Sequence, residues 1–349
     1  MSLTDFRTLG RSGLVVSPLS LGTMTFGPGE WKSDEKTARG VFDAYRDAGG
    51  NFIDTADVYS DGVSEALIGK FIKDTLSRNE LVLATKFGFN AKQGNPHSGG
   101  NGAKNIHRAL DGSLKRLGTD YIDLYWMHVW DSVTPVEEIC QTLGDLVRAG
   151  KIRYFGFSDM PAWVAMKAAT LASERRVPGP IAMQLEYSLV ARDIEREHIP
   201  VALEAAMGVV PWSPLAGGFL TGKYRREDTK GSGRLSGANP FGDSKFTERN
   251  WTMLEVLREV AEEQHRSLAQ VALAWVVTRP GVGSTLIGAT SIKQLKTNIA
   301  ALELTLTPEQ IAALDAASAN LPGFTDTLAS EPVRRMIFGG SNVKSWSEI

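Results

Sequence analysis

The sequence predicts an α/β fold, a (β/α)8 TIM barrel with an N-terminal β-hairpin, long loops and a C-terminal extension. Three observations carry this. Short β-like runs alternate with amphipathic helical patterns, eight times over, along the 349 residues, which implies parallel strands joined by crossover helices. No Gly-x-Gly-x-x-Gly turn follows an early strand, as a doubly wound open sheet would want. No linker-like stretch divides the chain, so residues 1–349 are expected to form one barrel domain, with its core at about 7–316 and the extension at 317–349.

The elements follow in order. Phe6–Leu9 and Leu14–Val16 flank the turn Gly10-Arg11-Ser12-Gly13 and read as the hairpin. The barrel strands are expected at Leu19–Gly22, Phe52–Asp54, Leu81–Lys86, Tyr121–Trp126, Ile152–Gly156, Ala182–Gln184, Val209–Trp212 and Ser284–Gly288. Helical spacing lies between them, as in Ala38, Val41, Phe42 and Tyr45. Thr134-Pro135-Val136-Glu137 reads as a capping box with Pro at the first helical position, and Gly150 closes that helix. Thr307-Pro308-Glu309-Gln310 starts a later helix in the same way. A barrel needs roughly 250 residues. The surplus is expected in Phe87–Ala103, Gly217–Asn250 and Asn320–Ile349, all rich in Gly, Ser, Asn or Pro.

Composition narrows the class of function. Charged residues make up 22% and the formal net charge is −2, which gives no electrostatic reason to expect nucleic acid or an anionic membrane as partner. Cys140 is the single cysteine, so no internal disulfide forms, and its amphipathic run marks it as a packed thiol. The N-terminus lacks the pattern of a signal peptide, and no window of about 18 apolar residues occurs. A cytoplasmic location is expected.

Barrel chemistry sits at the C-terminal ends of the strands and on the loops after them. Asp54 ends the second barrel run, Tyr59 lies in the loop five residues on, Lys86 ends the third run, and His128 follows the fourth. Each alone has an ordinary explanation: a cap, a packed loop ring, a surface charge, a buried histidine. Together they put Asp, Tyr, Lys and His on one rim. Tyrosine normally titrates near pH 10, and a nearby ammonium favours the phenolate. Asp54 would hold Lys86 charged, Lys86 would lower the Tyr59 pKa, and His128 would bond the substrate oxygen. Such a set protonates an oxygen on a carbonyl carbon; the other half of that reaction is a hydride, which needs a cofactor. No His-Glu-x-x-His occurs and the five histidines are scattered, so no metal site is expected.

These four residues resemble the catalytic tetrad of the aldo-keto reductases, and the likeness runs from about Arg7 to Ala316. It implies NADPH/NADP+ as cofactor and a small-molecule carbonyl as substrate. Gly22-Thr23-Met24 is similar to the first strand end beneath the nicotinamide. Ser158 and Gln184 match the carboxamide ligands. Trp212-Ser213-Pro214-Leu215-Ala216-Gly217-Gly218 resembles the segment whose aromatic stacks on the nicotinamide and whose backbone wraps the pyrophosphate. Lys223 and Arg234 match phosphate-reaching positions. Gly288, Thr290, Gln294 and Asn298 match the adenosine end. Simple readings stand beside these: Ser158 as a cap before Pro161, Gln294 as part of a capping box with Ser291, Lys223 as a solvated loop residue. One departure is Asp159, where many relatives carry Asn. Trp130, Trp31 and Phe87 are expected to wall the substrate, with packing as the other reading for the last two.

Two other functions compete. The branch with the matching Trp-Ser-Pro-Leu segment includes potassium-channel β subunits, which implies a cofactor-binding regulatory role; those relatives typically carry Asn at the position of His128. A barrel lyase or aldolase would use Lys86 as a Schiff base, but Asp54 would keep that lysine charged.

Overall fold

The protein is described by a computed structural model for residues 1–29, 31–227, 229, 234–236 and 245–344. The remaining parts of the expected loop 217–250 and of the tail lie outside the described residues. The hairpin forms first: β1 (Arg7–Thr8) pairs antiparallel with β2 (Val15–Val16). Then come β3 (Leu19–Gly22), α1 (Glu35–Asp47), β4 (Phe52–Asp54), α2 (Val63–Thr75), β5 (Val82–Phe87), α3 (Ala103–Leu117), β6 (Ile122–Met127) and α4 (Val136–Arg148). They are followed by β7 (Ile152–Ser158), α5 (Ala162–Arg175), β8 (Ala182–Glu186), α6 (His198–Glu204), β9 (Gly208–Trp212), α7 (Glu248–Glu263), α8 (Leu268–Val277) and β10 (Thr285–Ile287). The chain ends through α9 (Ile292–Ile299), α10 (Pro308–Ser318), α11 (Phe324–Leu328) and α12 (Glu331–Ile337). None of the described helices is long and apolar enough to cross a membrane.

All eight strands β3 to β10 run parallel in the order β10-β3-β4-β5-β6-β7-β8-β9. The seam between the first and last is joined at Val209, whose N–H donates to Gly281 O at 2.8 Å and whose carbonyl accepts from Gly283 N at 2.9 Å. The result is a nearly closed (β/α)8 barrel.

The two-residue period of a strand decides what lies inside it. Phe52, Val82, Ala84, Leu124, Trp126, Ala182, Val210 and Leu286 form the inner core, and Leu9, Leu14 and Val16 of the hairpin region plug its N-terminal end. The alternate residues Ile53, Leu83, Tyr125, Met183 and Val209 face the helices and belong to the larger outer core. Trp126 fills the barrel interior and is completely buried. Its room comes from β7: a Cβ on Gly156 would lie 2.4 Å from the Trp126 ring.

Helix starts follow local hydrogen bonding. Asp34 caps α1 by accepting from Thr37 N at 2.8 Å, and the buried face of α1 is Ala38, Val41, Phe42 and Tyr45 as spaced in the sequence. Thr307 caps α10 in a complete capping box with Gln310. The box expected at Thr134 does not form. Asp131 takes that hydroxyl at 2.6 Å and its N–H at 2.8 Å, so Pro135 becomes the N-cap of α4 and no side chain caps it. Cys140 is buried as expected, and burial raises its thiol pKa to about 11.

Substituting Gly156→Ala overfills the barrel beside Trp126. Urea denaturation is expected to show a loss of about 1–3 kcal/mol, with an unchanged denaturant slope.

Candidate active site

The inward positions continue upward from the apolar core into chemistry. Asp54 stands two residues above Phe52, Lys86 above Ala84, His128 above Trp126, Gln184 above Ala182 and Trp212 above Val210. Strand pairing sets their heights: Gly22 lies beside Asp54, Lys86 beside Trp126, and Ser158 beside Gln184.

Asp54 and Lys86 are buried and form an ion pair through Asp54 Oδ1. An ammonium has three donors, and all three have acceptors here: Asp54, the Thr55 carbonyl at 2.9 Å, and the Tyr59 hydroxyl at 3.3 Å. The other Asp54 oxygen accepts from Gln184 Nε2 at 3.0 Å. Burial disfavours the Lys86 charge, but Asp54 and Tyr59 outweigh it, and the pKa is raised. The sequence-based expectation of a lowered Tyr59 pKa is not met. Burial raises it, and Lys86 offsets that rise only in part because Asp54 acts against it. Tyr59 therefore keeps its proton at neutral pH. Its oxygen accepts from Lys86, so its own hydrogen is left to point elsewhere.

The Tyr59 loop is held in a costly shape. Ser60, Asp61 and Gly62 all have positive φ (50°, 55° and 88°), a region that L side chains seldom occupy. Ser60 Oγ pins this turn by donating to Phe26 O at 3.0 Å and accepting from Lys32 Nζ at 2.8 Å. Asp57 N–H donates to the Lys86 carbonyl at 3.2 Å, tying the loop to β5. None of these loop contacts is visible in a sequence pattern.

His128 meets Tyr59 edge-on, with ring centroids 5.7 Å apart. Burial, assisted by Lys86, pushes its pKa well below the usual value, so the imidazole is neutral. Its Nδ1 is buried without a protein hydrogen-bond partner. Phe89 packs on the other side at 4.8 Å. Trp130 packs edge-on against Trp163 at 5.3 Å. Phe87 is not part of this wall: it is fully buried against Tyr125 at 4.9 Å. Lys86 faces inward, so its neighbour Phe87 must face the helices. Phe89, two residues later, is exposed and packs against His128 instead. Trp31 is exposed and lies under the Arg234 guanidinium, 5.8 Å from the ring centroid.

The positions expected to hold a cofactor fall on the same rim and its loops. Thr23 is buried, and its hydroxyl donates to the Asp54 carbonyl at 3.0 Å, so it braces the end of β4. Gly22 and Met24 flank it and are half-buried. Ser158 is not a helix cap, since Pro161 holds that place in α5. Its Oγ is buried and has no protein partner. Trp212 Nε1 donates to Asp159 Oδ1 at 3.0 Å. After it, Ser213, Ala216, Gly217 and Gly218 adopt positive φ, and the amides of Ala216, Gly217 and Gly218 donate within the turn to Ser213 O at 2.8 Å, Ser213 Oγ at 3.2 Å and Leu215 O at 2.9 Å. Pro214 and Leu215 complete this turn. A Cβ on Gly218 would strike Lys223 Cε at 2.6 Å, so the Lys223 side chain folds back over the turn. Beyond β10, Ser291 caps α9 by accepting from Gln294 N at 3.2 Å. The Gln294 side chain does not complete a box; it accepts from Thr290 N and Oγ1, both at 2.9 Å. Asn298 reaches the Gly288 carbonyl at 3.4 Å. A ligand contacting Gln294 would have to displace or share its bond to Thr290. Among the described residues no cluster suited to a metal ion occurs.

Asp57 is a buried acid whose carboxylate oxygens have no protein partner. Burial, with Glu65 nearby, raises its pKa to about 7. A folded-state carboxyl that holds its proton more tightly than the unfolded one, at about 3.9, confers stability below that lower value and loses it as pH rises towards 7. Asp57→Asn removes this dependence. Urea titrations are expected to show wild-type stability, relative to the variant, falling between pH 4 and pH 8. A difference independent of pH would mean that Asp57 is ionised throughout.

Comparison with known proteins agrees with this geometry. The family model "Aldo/keto reductase family" matches residues 18–319. The chain is 38% identical over 315 residues to "Uncharacterized oxidoreductase YrpG" of Bacillus subtilis, covering 87% of this chain and 93% of that one. It is 36% identical to "Probable voltage-gated potassium channel subunit beta" of Oryza sativa, over 93% of this chain and 99% of the relative. It is 34% identical to "Aryl-alcohol dehydrogenase [NADP(+)]" of Phanerodontia chrysosporium, over 86% and 82% respectively. With the barrel and these matches in agreement, the chain belongs to the aldo/keto reductase family.

Proposed function

We propose that this protein is an NADPH-dependent reductase of aldehydes or ketones, with Tyr59 as proton donor. The observation that carries the reading is the hydrogen-bond count at Lys86. Its three donors are taken by Asp54, Thr55 and Tyr59, so the Tyr59 oxygen is an acceptor on that side and its proton is free for a substrate.

The residues present suit a nicotinamide dinucleotide. Ser158 Oγ, buried and without a partner, is a ready hydrogen-bonding group for a carboxamide, with Gln184 beside it. Trp212 offers a flat face. Lys223, folded over the turn of Ser213 to Gly218 with Pro214 and Leu215 inside it, would with Arg234 supply positive charge for phosphate oxygens. Gly288, Thr290, Gln294 and Asn298 would hold the adenosine end, and Gly22, Thr23 and Met24 would form the floor. The bound dinucleotide supplies a hydride to the carbonyl carbon. Tyr59 passes its proton to the carbonyl oxygen, and the net change is carbonyl to alcohol. Lys86 then stabilises the phenolate left behind, which keeps transfer feasible near neutral pH. Neutral His128 can bond the carbonyl oxygen without competing for the proton. Asp54 keeps Lys86 charged, which argues against Schiff-base chemistry.

Trp130, Phe89 and Trp31 give the approach an aromatic character that suits bulky, cyclic or aromatic carbonyls. The fungal relative named as an aryl-alcohol dehydrogenase using NADP(+) supports the same class and cofactor.

Tyr59→Phe tests the reading. Turnover of a carbonyl panel, read as NADPH oxidation, is expected to fall on the order of 10²–10⁴-fold, with NADPH affinity nearly unchanged. Normal turnover in the variant would remove Tyr59 from the chemistry. Tight NADPH binding by the wild type with no turnover across the panel would favour a binding role such as the name of the rice relative suggests.

A further inference from the structure

Asp159 sits where β7 ends, next to Ser158, in a left-handed conformation with φ 45°. That turn gives its two polar groups opposite tasks. Its backbone carbonyl accepts from Trp130 N at 3.3 Å. Its carboxylate accepts from Trp212 Nε1 at 3.0 Å. One residue thus braces the aromatic on the substrate side and the aromatic on the cofactor side. Asp159 is exposed to solvent, although protein packs around its carboxyl group. Any flat ring stacked on Trp212, and reaching Ser158, would lie close to this acid.

Resting on the functional reading above, we propose that Asp159 discriminates between the redox states of the cofactor: where it is ionised, its carboxylate holds NADP+, the oxidised product of the reduction, more tightly than NADPH. The physical basis is simple. The oxidised nicotinamide ring carries a positive charge and the reduced ring carries none. A carboxylate close by stabilises the former through Coulomb attraction in a partly desolvated cleft. An amide in the same place would give the Trp212 bond without the charge.

The surroundings set the pH at which this operates. Burial among protein raises the Asp159 carboxyl to about 6, opposed by the Trp212 bond and raised further by Glu186. The adjacent Ser158 hydroxyl and Lys86 lower it, and Glu186 is itself paired with Lys245 at 2.9 Å. His198, on α6, faces the adjacent Met160 carbonyl at 2.8 Å. Asp54, Tyr59 and His128 are the other titratable groups on this rim, and His128 stays neutral. The cation lowers the Asp159 pKa in the complex. The preference is therefore full above the free value and is lost as pH falls below it through the lower value of the complex.

The experiment is a calorimetric titration of the wild type and Asp159→Asn with NADP+ and, separately, NADPH at pH 7.5 and pH 5.0. The 2′-phosphate also titrates in this range, but both forms carry it, so the affinity ratio cancels it. For a tenfold preference, one pKa unit, the wild-type NADP+ to NADPH affinity ratio is expected to fall about fivefold from pH 7.5 to pH 5.0. At pH 7.5 the variant is expected to shift about tenfold towards NADPH, with no change in its ratio at pH 5.0. The wild-type pH dependence stands even if the variant folds poorly. If both nucleotides bind with a ratio that is independent of pH in the wild type, the proposal for Asp159 is overturned. If neither binds, the functional reading itself fails.

Discussion

The buried pair of Lys86 and Asp54 is the interaction on which the upper barrel depends. Two opposite charges sit inside a core whose lower half is mainly apolar. Such a pair is tolerable only when its remaining hydrogen-bonding capacity is met. Here it is: Lys86 spends its donors on Asp54, Thr55 and Tyr59, and Asp54 takes Gln184 with its second oxygen. Removing either partner would strand the other, at a cost of about 3–5 kcal/mol in comparable cases. The same bonds fix the Tyr59 oxygen, so stability and proton placement rest on one constraint.

The barrel supplies that constraint through strand alternation. Each of β4, β5, β8 and β9 carries an apolar inward residue and, two places on, a polar or aromatic one; β6 reaches His128 just past its end. Hairpin residues close the bottom, and Trp126 fills the middle because Gly156 lacks a side chain. The polar layer is thereby lifted to the open end, where loops can meet it. A shallow apolar groove between α5 and α6, beside Trp163 and Met166, has no such layer beneath it; its Lys167 and Arg196 are paired with Glu137 and Asp326.

Much of this was legible from residue order. Strands β3 and β4 have the expected bounds, and the other barrel strands differ only at their ends. Asp54, Tyr59, Lys86 and His128 come together because strand ends of a parallel barrel must share one rim. What residue order hides depends on contacts between distant segments. The Tyr59 pKa goes up where charge alone suggested down, because burial and Asp54 together outweigh Lys86. Phe87 turns outward because its neighbour turns in. Thr134 fails to cap because Asp131 reaches it first. The positive-φ turn at Ser60 and Asp61 and the bridging role of Asp159 leave no mark in composition or period.

The most direct test of the central claim is a double-mutant cycle on kcat/KM for carbonyl reduction, using Asp54→Asn, Lys86→Met and the pair. If the two residues act as one unit that positions Tyr59, each single variant loses most of the activity and the double variant is no worse than the poorer single. The coupling energy then lies at about 2–3 kcal/mol. Losses that simply multiply would contradict the account, because they would mean that Asp54 and Lys86 serve the reaction independently.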